Sequence, residues 1–164
     1  MSVKRVVIHA GLPKTASTFL QVNVFPFIPA HDCEFNPPSL VGPLLELCKE
    51  IVTCGSTTPE RIRSLRDLID PELERIQAPT LLLSVEGFLP LHCGGYGRSD
   101  AILGVLTQLF DDPVMVVFLR EQSAWIRSAY SFCLVSKFIL PFDEYVNREG
   151  DGRFGNRVPR MLSV

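Results

Sequence analysis

The chain has 164 residues, of which 46% are hydrophobic, and this size and composition fit one domain with a sizeable buried core. Its formal net charge of −2 provides no overall positive field, which argues against nucleic acid or an acidic membrane as a partner. No apolar run approaches the roughly 18 residues of a membrane-spanning helix, so we expect a cytoplasmic protein.

Three short apolar segments are predicted to be strands: Arg5–Ala10, Pro79–Val85 and Pro113–Leu119. Their near-continuous apolar residues are typical of strands covered on both faces, as in a parallel sheet. The predicted helices between and after these strands are Ser17–Val24, Leu40–Val52, Pro59–Ile76, a helix from its N-cap Ser99 to Phe110, Gln122–Lys137 and Phe142–Asn147. This alternation predicts an α/β fold with a parallel β-sheet flanked by helices.

The cysteines are odd in number, and no two of them have the C-x-x-C spacing of a metal or redox motif. They are Cys33, Cys48, Cys54, Cys93 and Cys133. We therefore expect reduced thiols rather than a zinc site or a disulfide framework.

The segment Gly11–Thr18, directly after the first predicted strand, has the composition of an anion-binding turn. Gly11 permits a sharp turn and a close approach to a ligand, and N–H groups at the start of the following helix can cradle an anion. Lys14 adds a positive charge for a phosphate or sulfuryl oxygen. Hydroxyl donors come from Thr15, Ser17 and Thr18. The segment predicts a phosphate site, but an ordinary strand-to-helix turn with capping hydroxyls would have similar residues.

This segment does not fit the Walker A motif, which reads G-x-x-x-x-G-K-[ST]. Lys14 follows Gly11 by three residues, and Ala16 stands where a second glycine would be sought. A loop of the common nucleoside-triphosphatase type is therefore disfavoured.

The residues GLPKTASTFLQ resemble the 5′-phosphosulfate-binding loop of the sulfotransferase superfamily, which typically reads G-x-P-K-[TS]-G-[TS]-[TS]-x-L. The residues that fit are Gly11, Pro13, Lys14, Thr15, Ser17, Thr18 and Leu20. Ala16 replaces the usual glycine, and an alanine there would disfavour a positive φ or crowd the phosphate. The resemblance implies a P-loop-like α/β fold of the sulfotransferase type. It also implies that the loop, Ala16 included, binds the co-substrate 3′-phosphoadenosine-5′-phosphosulfate.

A second match lies after the third predicted strand, in the residues LREQSAWIRSAYSF. In sulfotransferases an arginine at the end of a strand and a serine eight residues later bind the 3′-phosphate of the nucleotide, and Arg120 and Ser128 have this spacing. Arg120 would offer a forked, always-charged donor at the carboxyl edge of the sheet, where open α/β sheets bind ligands. Arg127 is a further cation that would either assist or face solvent.

The resemblance implies transfer of a sulfuryl group to a hydroxyl or amine acceptor, with Lys14 stabilising the bridging oxygen as the nucleotide leaves. A sulfuryl group carries less charge than a phosphoryl group, so we expect no metal. The candidate general base is Glu86, just after the second predicted strand. His31 and His92, in predicted loops, are the alternative candidates for the base. His9 is interpreted as a core or wall residue, and Ser84 is a further candidate for contact with the nucleotide.

Sulfotransferases of this superfamily usually exceed 200 residues, so we interpret residues 1–164 as a single domain that is incomplete at its C-terminus. Two alternatives stay open at this point: a non-catalytic nucleotide-binding remnant of the fold, and a P-loop kinase-like enzyme that binds a nucleoside triphosphate. The predicted loops His31–Ser39 and Leu91–Arg98 carry no residues diagnostic of an acceptor. The acceptor and the oligomeric state are not predicted.

Overall fold

The computed structural model describes residues 5–11, 14–89, 98–135 and 141–147 of the chain. Its strands are β1 (Arg5–His9), β2 (Cys33–Phe35), β3 (Thr80–Ser84) and β4 (Val114–Val116). Its helices are α1 (Ser17–Asn23), α2 (Pro38–Cys54), α3 (Pro59–Arg75), α4 (Ser99–Leu109), α5 (Gln122–Val135) and α6 (Phe142–Asn147). Short 3₁₀ helices lie at Phe25–Phe27 and Glu86–Phe88.

The strands of the described residues form one sheet in the order β2-β3-β1-β4, and every neighbouring pair is parallel. Ile8 in the middle strand β1 lies opposite Leu83 on one side and Met115 on the other. The predicted α/β fold with a parallel sheet flanked by helices is confirmed at this level. Parallel strands need long crossovers, and here helices provide them.

The main core lies on the face of the sheet that packs against α2, α3 and α4. Val6 and Ile8 of β1 and Leu81 and Leu83 of β3 point to this face, as the two-residue period of a strand requires. The helices contribute a layer of buried aliphatic residues: Leu40, Leu44, Leu47, Ile51, Leu65, Ile69, Ile102, Leu106 and Leu109. Burying such side chains stabilises the fold by about 1.5–3 kcal/mol each.

The connections after β1 and β3 leave the sheet on opposite faces. The chain after β1 passes through α1 to Phe25 and Ile28, which lie over the face that carries Val7 and Leu82. The chain after β3 reaches α4, which packs in the core on the other face. The two connections therefore diverge at the carboxyl ends of neighbouring strands, and such a switch point leaves a crevice where α/β proteins bind ligands.

Two strand predictions are corrected. The predicted loop His31–Ser39 contains β2, a short strand that pairs in register with β3 from Cys33 opposite Thr80. The third predicted strand is shorter than expected, because β4 ends at Val116 and Leu119 is 79% exposed. Among the described residues β4 pairs with β1 alone, so it is an edge strand there. Val114, Val117 and Phe118 are about 40% exposed, so this segment is less covered than the predicted buried strand.

The helix predictions are confirmed apart from their ends. α2 begins two residues earlier than predicted, at Pro38, a residue type that suits the first turn because its missing N–H would have no helical partner. The proposed N-cap Ser99 is instead the first residue of α4, and the cap is Arg98, whose carbonyl accepts from Ile102 N–H. The Ser99 hydroxyl is buried without a hydrogen-bond partner among the described residues.

Several predicted features lie outside the described residues: Pro13, His92, Cys93, most of the predicted loop Leu91–Arg98 and the tail from Gly150. Cys33, Cys48 and Cys54 are free thiols, as expected. Within the described part of the chain, no helix combines the length and apolar character needed to cross a membrane.

Candidate functional site

The turn between β1 and α1 has an unusual backbone. Lys14 has φ 69° and Ala16 has φ 66°, so both adopt the left-handed conformation that L-residues rarely occupy. Ala16 directly precedes α1, and its side chain makes no cap for the helix. The position at which the resemblance calls for glycine is therefore one at which the backbone itself favours glycine.

Gly11 is required by close packing rather than by its φ. A Cβ atom at this position would lie 2.8 Å from Ser17 Oγ and 3.0 Å from Ser17 Cβ. Ser17 is only 1% exposed and cannot move away easily. Any larger residue at position 11 would push the start of α1 away from the end of β1.

Lys14 is in contact with two residues that follow β4. Its ammonium lies 4.3 Å from the centre of the Phe132 ring on α5, a cation–π contact. Its backbone carbonyl accepts a hydrogen bond of 3.3 Å from Arg120 Nη1. The structure therefore brings together the loop and the strand end that the sequence analysis assigned to two phosphate groups.

Glu121, the residue after Arg120, caps helix α5, a role that the sequence analysis missed. The Glu121 carboxylate accepts from the N–H groups of Ser123 and Ala124, at 2.8 and 2.7 Å, and from the Ser123 hydroxyl. These bonds cap α5 and, with the Ser123 N–H as the largest cause, hold the pKa of Glu121 below its usual value. An acidic residue just before a helical stretch was the signal that could have identified this cap.

Ser128 lies half-buried on α5, one turn before Phe132. Residues four apart share one face of a helix, so Ser128 is on the face whose Phe132 contacts Lys14. Arg127 instead folds back along its own helix, where its guanidinium donates to the carbonyl and the hydroxyl of Ser123. It is exposed, which agrees with the solvent-facing alternative.

Glu86, the candidate general base, is hydrogen-bonded to the segment Gly11–Thr18. It lies half-buried in the 3₁₀ helix after β3, and its Oε1 accepts a hydrogen bond of 2.8 Å from the Thr18 hydroxyl of α1. Thr15 and Ser17 form a second hydroxyl pair, 3.2 Å apart. Lys14, Thr18, Glu86 and Arg120 thus lie around the carboxyl edge of β1, β3 and β4.

A buried polar network lies directly beneath Glu86. His9 Nδ1 and Ser84 Oγ are 2.6 Å apart, and the Gln21 amide donates both to Ser84 Oγ and to the Ser84 carbonyl. Burial lowers the pKa of His9, while the negative charge of Glu86 partly opposes this effect. His9 is 1% exposed, so the structure agrees with its interpretation as a core or wall residue. Ser84 is equally buried and belongs to the same network.

Asn36 is a further residue that sequence reasoning missed. It has φ 46°, and its side chain donates to the Ser84 carbonyl at 2.8 Å and accepts from the Ser84 N–H at 2.7 Å. The amide therefore continues the pairing of β2 with β3 beyond the last residue of β2. The tolerance of asparagine for the left-handed conformation was the available signal.

The remaining candidates lie apart from this edge or outside the described residues. His31 is highly exposed, precedes β2 and lies 3.4 Å from the Asp32 carboxylate. Pro13 and His92 are outside the described residues. Within the described ranges no three His, Cys, Asp or Glu side chains are grouped as metal ligands. Comparison of the chain with protein-family models, with curated proteins and with solved structures found no match.

Proposed function

We propose that this chain is a sulfotransferase domain that binds 3′-phosphoadenosine-5′-phosphosulfate and transfers its sulfuryl group to an acceptor. The observation that carries the proposal is the contact between the two segments that resemble the family. The Arg120 guanidinium donates to the Lys14 carbonyl across 106 residues of chain. Two cationic side chains thus lie at one sheet edge, as a nucleotide with phosphates at both its 3′ and 5′ positions would require.

The local geometry of the loop supports the 5′ half of this site. Lys14 and Ala16 have left-handed conformations on either side of Thr15, directly before the start of α1. Backbone of this kind turns successive N–H groups towards an anion. Gly11 keeps the start of α1 close to the strand end. The 3′ half would use Arg120 together with Ser128 on the face of α5 that contacts Lys14.

The proposed reaction is an in-line transfer of the sulfuryl group, in which Lys14 and Glu86 have separate roles. The acceptor oxygen forms a bond to sulfur while the bond from sulfur to the 5′-phosphate oxygen breaks, and the electron pair stays on that phosphate. Lys14 offsets the charge that develops there. Glu86 accepts the acceptor proton. The protein's contribution is position and charge, as in phosphoryl transfer.

Calorimetry with adenosine 3′,5′-bisphosphate, AMP and magnesium ATP tests the nucleotide assignment. We expect the bisphosphate to bind more tightly than the other two. Arg120→Ala should weaken bisphosphate binding roughly 10- to 100-fold, because a hydrogen-bonded charge is lost, and should leave AMP binding nearly unchanged. Lys14→Ala should weaken both, since it acts on the 5′ side that they share.

Arg63→Ala provides the matched control, because Arg63 is an exposed arginine on α3 that pairs with Glu60. It should bind all three nucleotides like the parent protein. A preference for magnesium ATP would overturn the proposal in favour of a kinase-like enzyme. Bisphosphate binding without sulfuryl transfer to any of a panel of alcohols, phenols and amines would indicate the non-catalytic remnant.

A further inference from the structure

The last residue of β3, Ser84, is held by side chains from three other segments of the chain. It is 1% exposed, and each of its hydrogen-bonding groups has a partner. Asn36, which follows β2, accepts from its N–H at 2.7 Å and donates to its carbonyl at 2.8 Å, and His9 of β1 lies 2.6 Å from its hydroxyl. Gln21 of α1 donates to its carbonyl and to its hydroxyl, at 3.0 and 3.2 Å. Ser84 therefore joins α1 to the strands of the sheet.

Helix α1 is seven residues long and buries little apolar surface. The structure describes all seven residues, and only Ser17 among them is buried, whereas Phe19 and Val22 are 60% and 61% exposed. A helix this short is not stable by itself in water, so its place in the fold depends on contacts with its surroundings. The two hydrogen bonds of Gln21 are such contacts, since they join the helix directly to the end of β3.

The same face of α1 also contacts the candidate base. Thr18 precedes Gln21 by three residues, so the two side chains share one face of the helix. Gln21 contacts Ser84, and the Thr18 hydroxyl donates at 2.8 Å to Glu86, two residues further along the chain. The position of α1 against Ser84 therefore determines how far Glu86 lies from the segment Gly11–Thr18.

The proposed reaction depends on this distance. The 5′-phosphosulfate would lie at the start of α1, and Glu86 would accept the proton of the group that attacks its sulfur. A displacement of about 1 Å between groups that act together can lower the rate about 100-fold. Glu86 follows β3, whereas the donors for the phosphosulfate belong to α1 and the residues before it, so a contact between the two segments is needed to keep them at a fixed distance.

We propose that Gln21 is a positioning residue, whose hydrogen bonds with Ser84 fix Glu86 relative to the anion-binding start of α1. A neutral amide suits this role, because its nitrogen carries two donors and both Ser84 oxygens can accept. The assignment rests on the proposed function, in which Glu86 is the base.

Gln21→Met tests this role in turnover, because methionine has a similar length but no N–H donor. With the best acceptor of a panel of alcohols, phenols and amines, we expect kcat to fall about 10- to 100-fold, while the KM for the phosphosulfate changes less than about twofold. Gln21→Glu, which keeps the shape of the side chain but removes its donors, should act alike. Asn23→Met is the matched control and should keep the kcat of the parent protein, since this exposed residue donates to the Phe19 carbonyl of its own helix.

A double variant separates positioning of the base from a general loosening of α1. In Glu86→Gln the base is already absent, so adding Gln21→Met should lower kcat by less than about twofold. An equal loss in both backgrounds would assign Gln21 to the packing of the helix and overturn the proposal.

Nucleotide affinity provides a test that does not require turnover. In Gln21→Met the Glu86 carboxylate is no longer fixed beside the anion site, so adenosine 3′,5′-bisphosphate should bind about twofold more tightly by calorimetry. Replacing Glu86 by glutamine should then add less than about twofold, against about three- to fivefold in the parent protein. Weaker binding in Gln21→Met, or an undiminished effect of Glu86→Gln, would overturn the proposal.

The two proposals fail in different ways. If the parent protein binds the bisphosphate and Gln21→Met matches it in affinity and turnover, only the assignment of Gln21 fails. If the parent protein does not bind the bisphosphate, the proposed function fails, and the role of Gln21 fails with it. If the parent protein binds it without turnover, the affinity measurements alone decide the role of Gln21.

Discussion

The Thr18 hydroxyl donates a hydrogen bond of 2.8 Å to the Glu86 carboxylate, and this contact joins residues 68 positions apart in the chain. It connects the start of α1 to the end of β3 across the point where the connections from β1 and β3 diverge. A hydroxyl has one proton to donate, so Thr18 can serve either Glu86 or a bound phosphate, but not both.

This competition leads to a prediction for Glu86→Gln. We expect adenosine 3′,5′-bisphosphate to bind about three- to fivefold more tightly, because a negative charge beside the anion site is removed and the hydrogen bond that holds Thr18 loses its charged acceptor. In the background of Thr18→Val the gain should be smaller, and a double-mutant cycle by calorimetry measures the difference. Glu74→Gln, at an exposed position of α3, should not alter the affinity. Weaker binding in Glu86→Gln would contradict this account.

The left-handed backbone of Ala16 leads to a stability prediction. Ala16→Gly should raise the free energy of unfolding by about 0.5–1 kcal/mol, because glycine adopts φ 66° without the cost that alanine incurs. Ala101→Gly, within α4, should lower it by about 1 kcal/mol. Urea denaturation measures the free energy of unfolding of both variants, which should change in opposite directions. Destabilisation by Ala16→Gly would show that the left-handed backbone at this position does not favour glycine.

The double hydrogen bond of Asn36 with Ser84 predicts a large effect of Asn36→Ala. We expect a loss of about 2–3 kcal/mol in unfolding free energy, from two hydrogen bonds and a left-handed residue. Asn23→Ala is the matched control, since that exposed amide donates to the Phe19 carbonyl of its own helix. Its cost should stay within about 0.5 kcal/mol. Similar losses in the two variants would exclude a structural role specific to Asn36.

The burial of His9 predicts that its imidazole has a pKa below the ordinary value of histidine. By NMR its imidazole should titrate below pH 6.5, and in Glu86→Gln lower still, because the carboxylate that raises the pKa is removed. Glu74→Gln should leave the titration unchanged. A higher pKa in Glu86→Gln would contradict the assigned cause.

The same shift predicts how stability depends on pH. As the pH falls below 6.5, the unfolded chain binds the proton before the folded one does, so the free energy of unfolding decreases until the pH reaches the folded pKa. His9→Gln should lessen this decrease between about pH 6.5 and 5. Urea denaturation across that range checks it, and an unchanged slope in His9→Gln would assign the effect to other groups.

Much of this architecture could be predicted from local patterns. Helical periodicity located Pro59–Ile76 to within one residue of α3, and short, near-continuous apolar runs located β1 and β3. The motif that the segment resembles has glycine where this chain has Ala16, and this indicated a left-handed conformation at that position. These features depend on residues close together in the chain, which is why composition and spacing reveal them.

Only the tertiary structure decided which distant residues meet. The strand β2 has little local signal, because a segment of three residues forms a strand only when β3 supplies its partners. The contacts of Thr18 with Glu86, of Asn36 with Ser84 and of Lys14 with Phe132 each join segments far apart in sequence. His9 likewise meets Ser84 because the strand order sets β1 beside β3. Local propensity determines which segments become strands and helices, whereas the burial of apolar surface determines their order, and that order brings the polar side chains of the candidate site together.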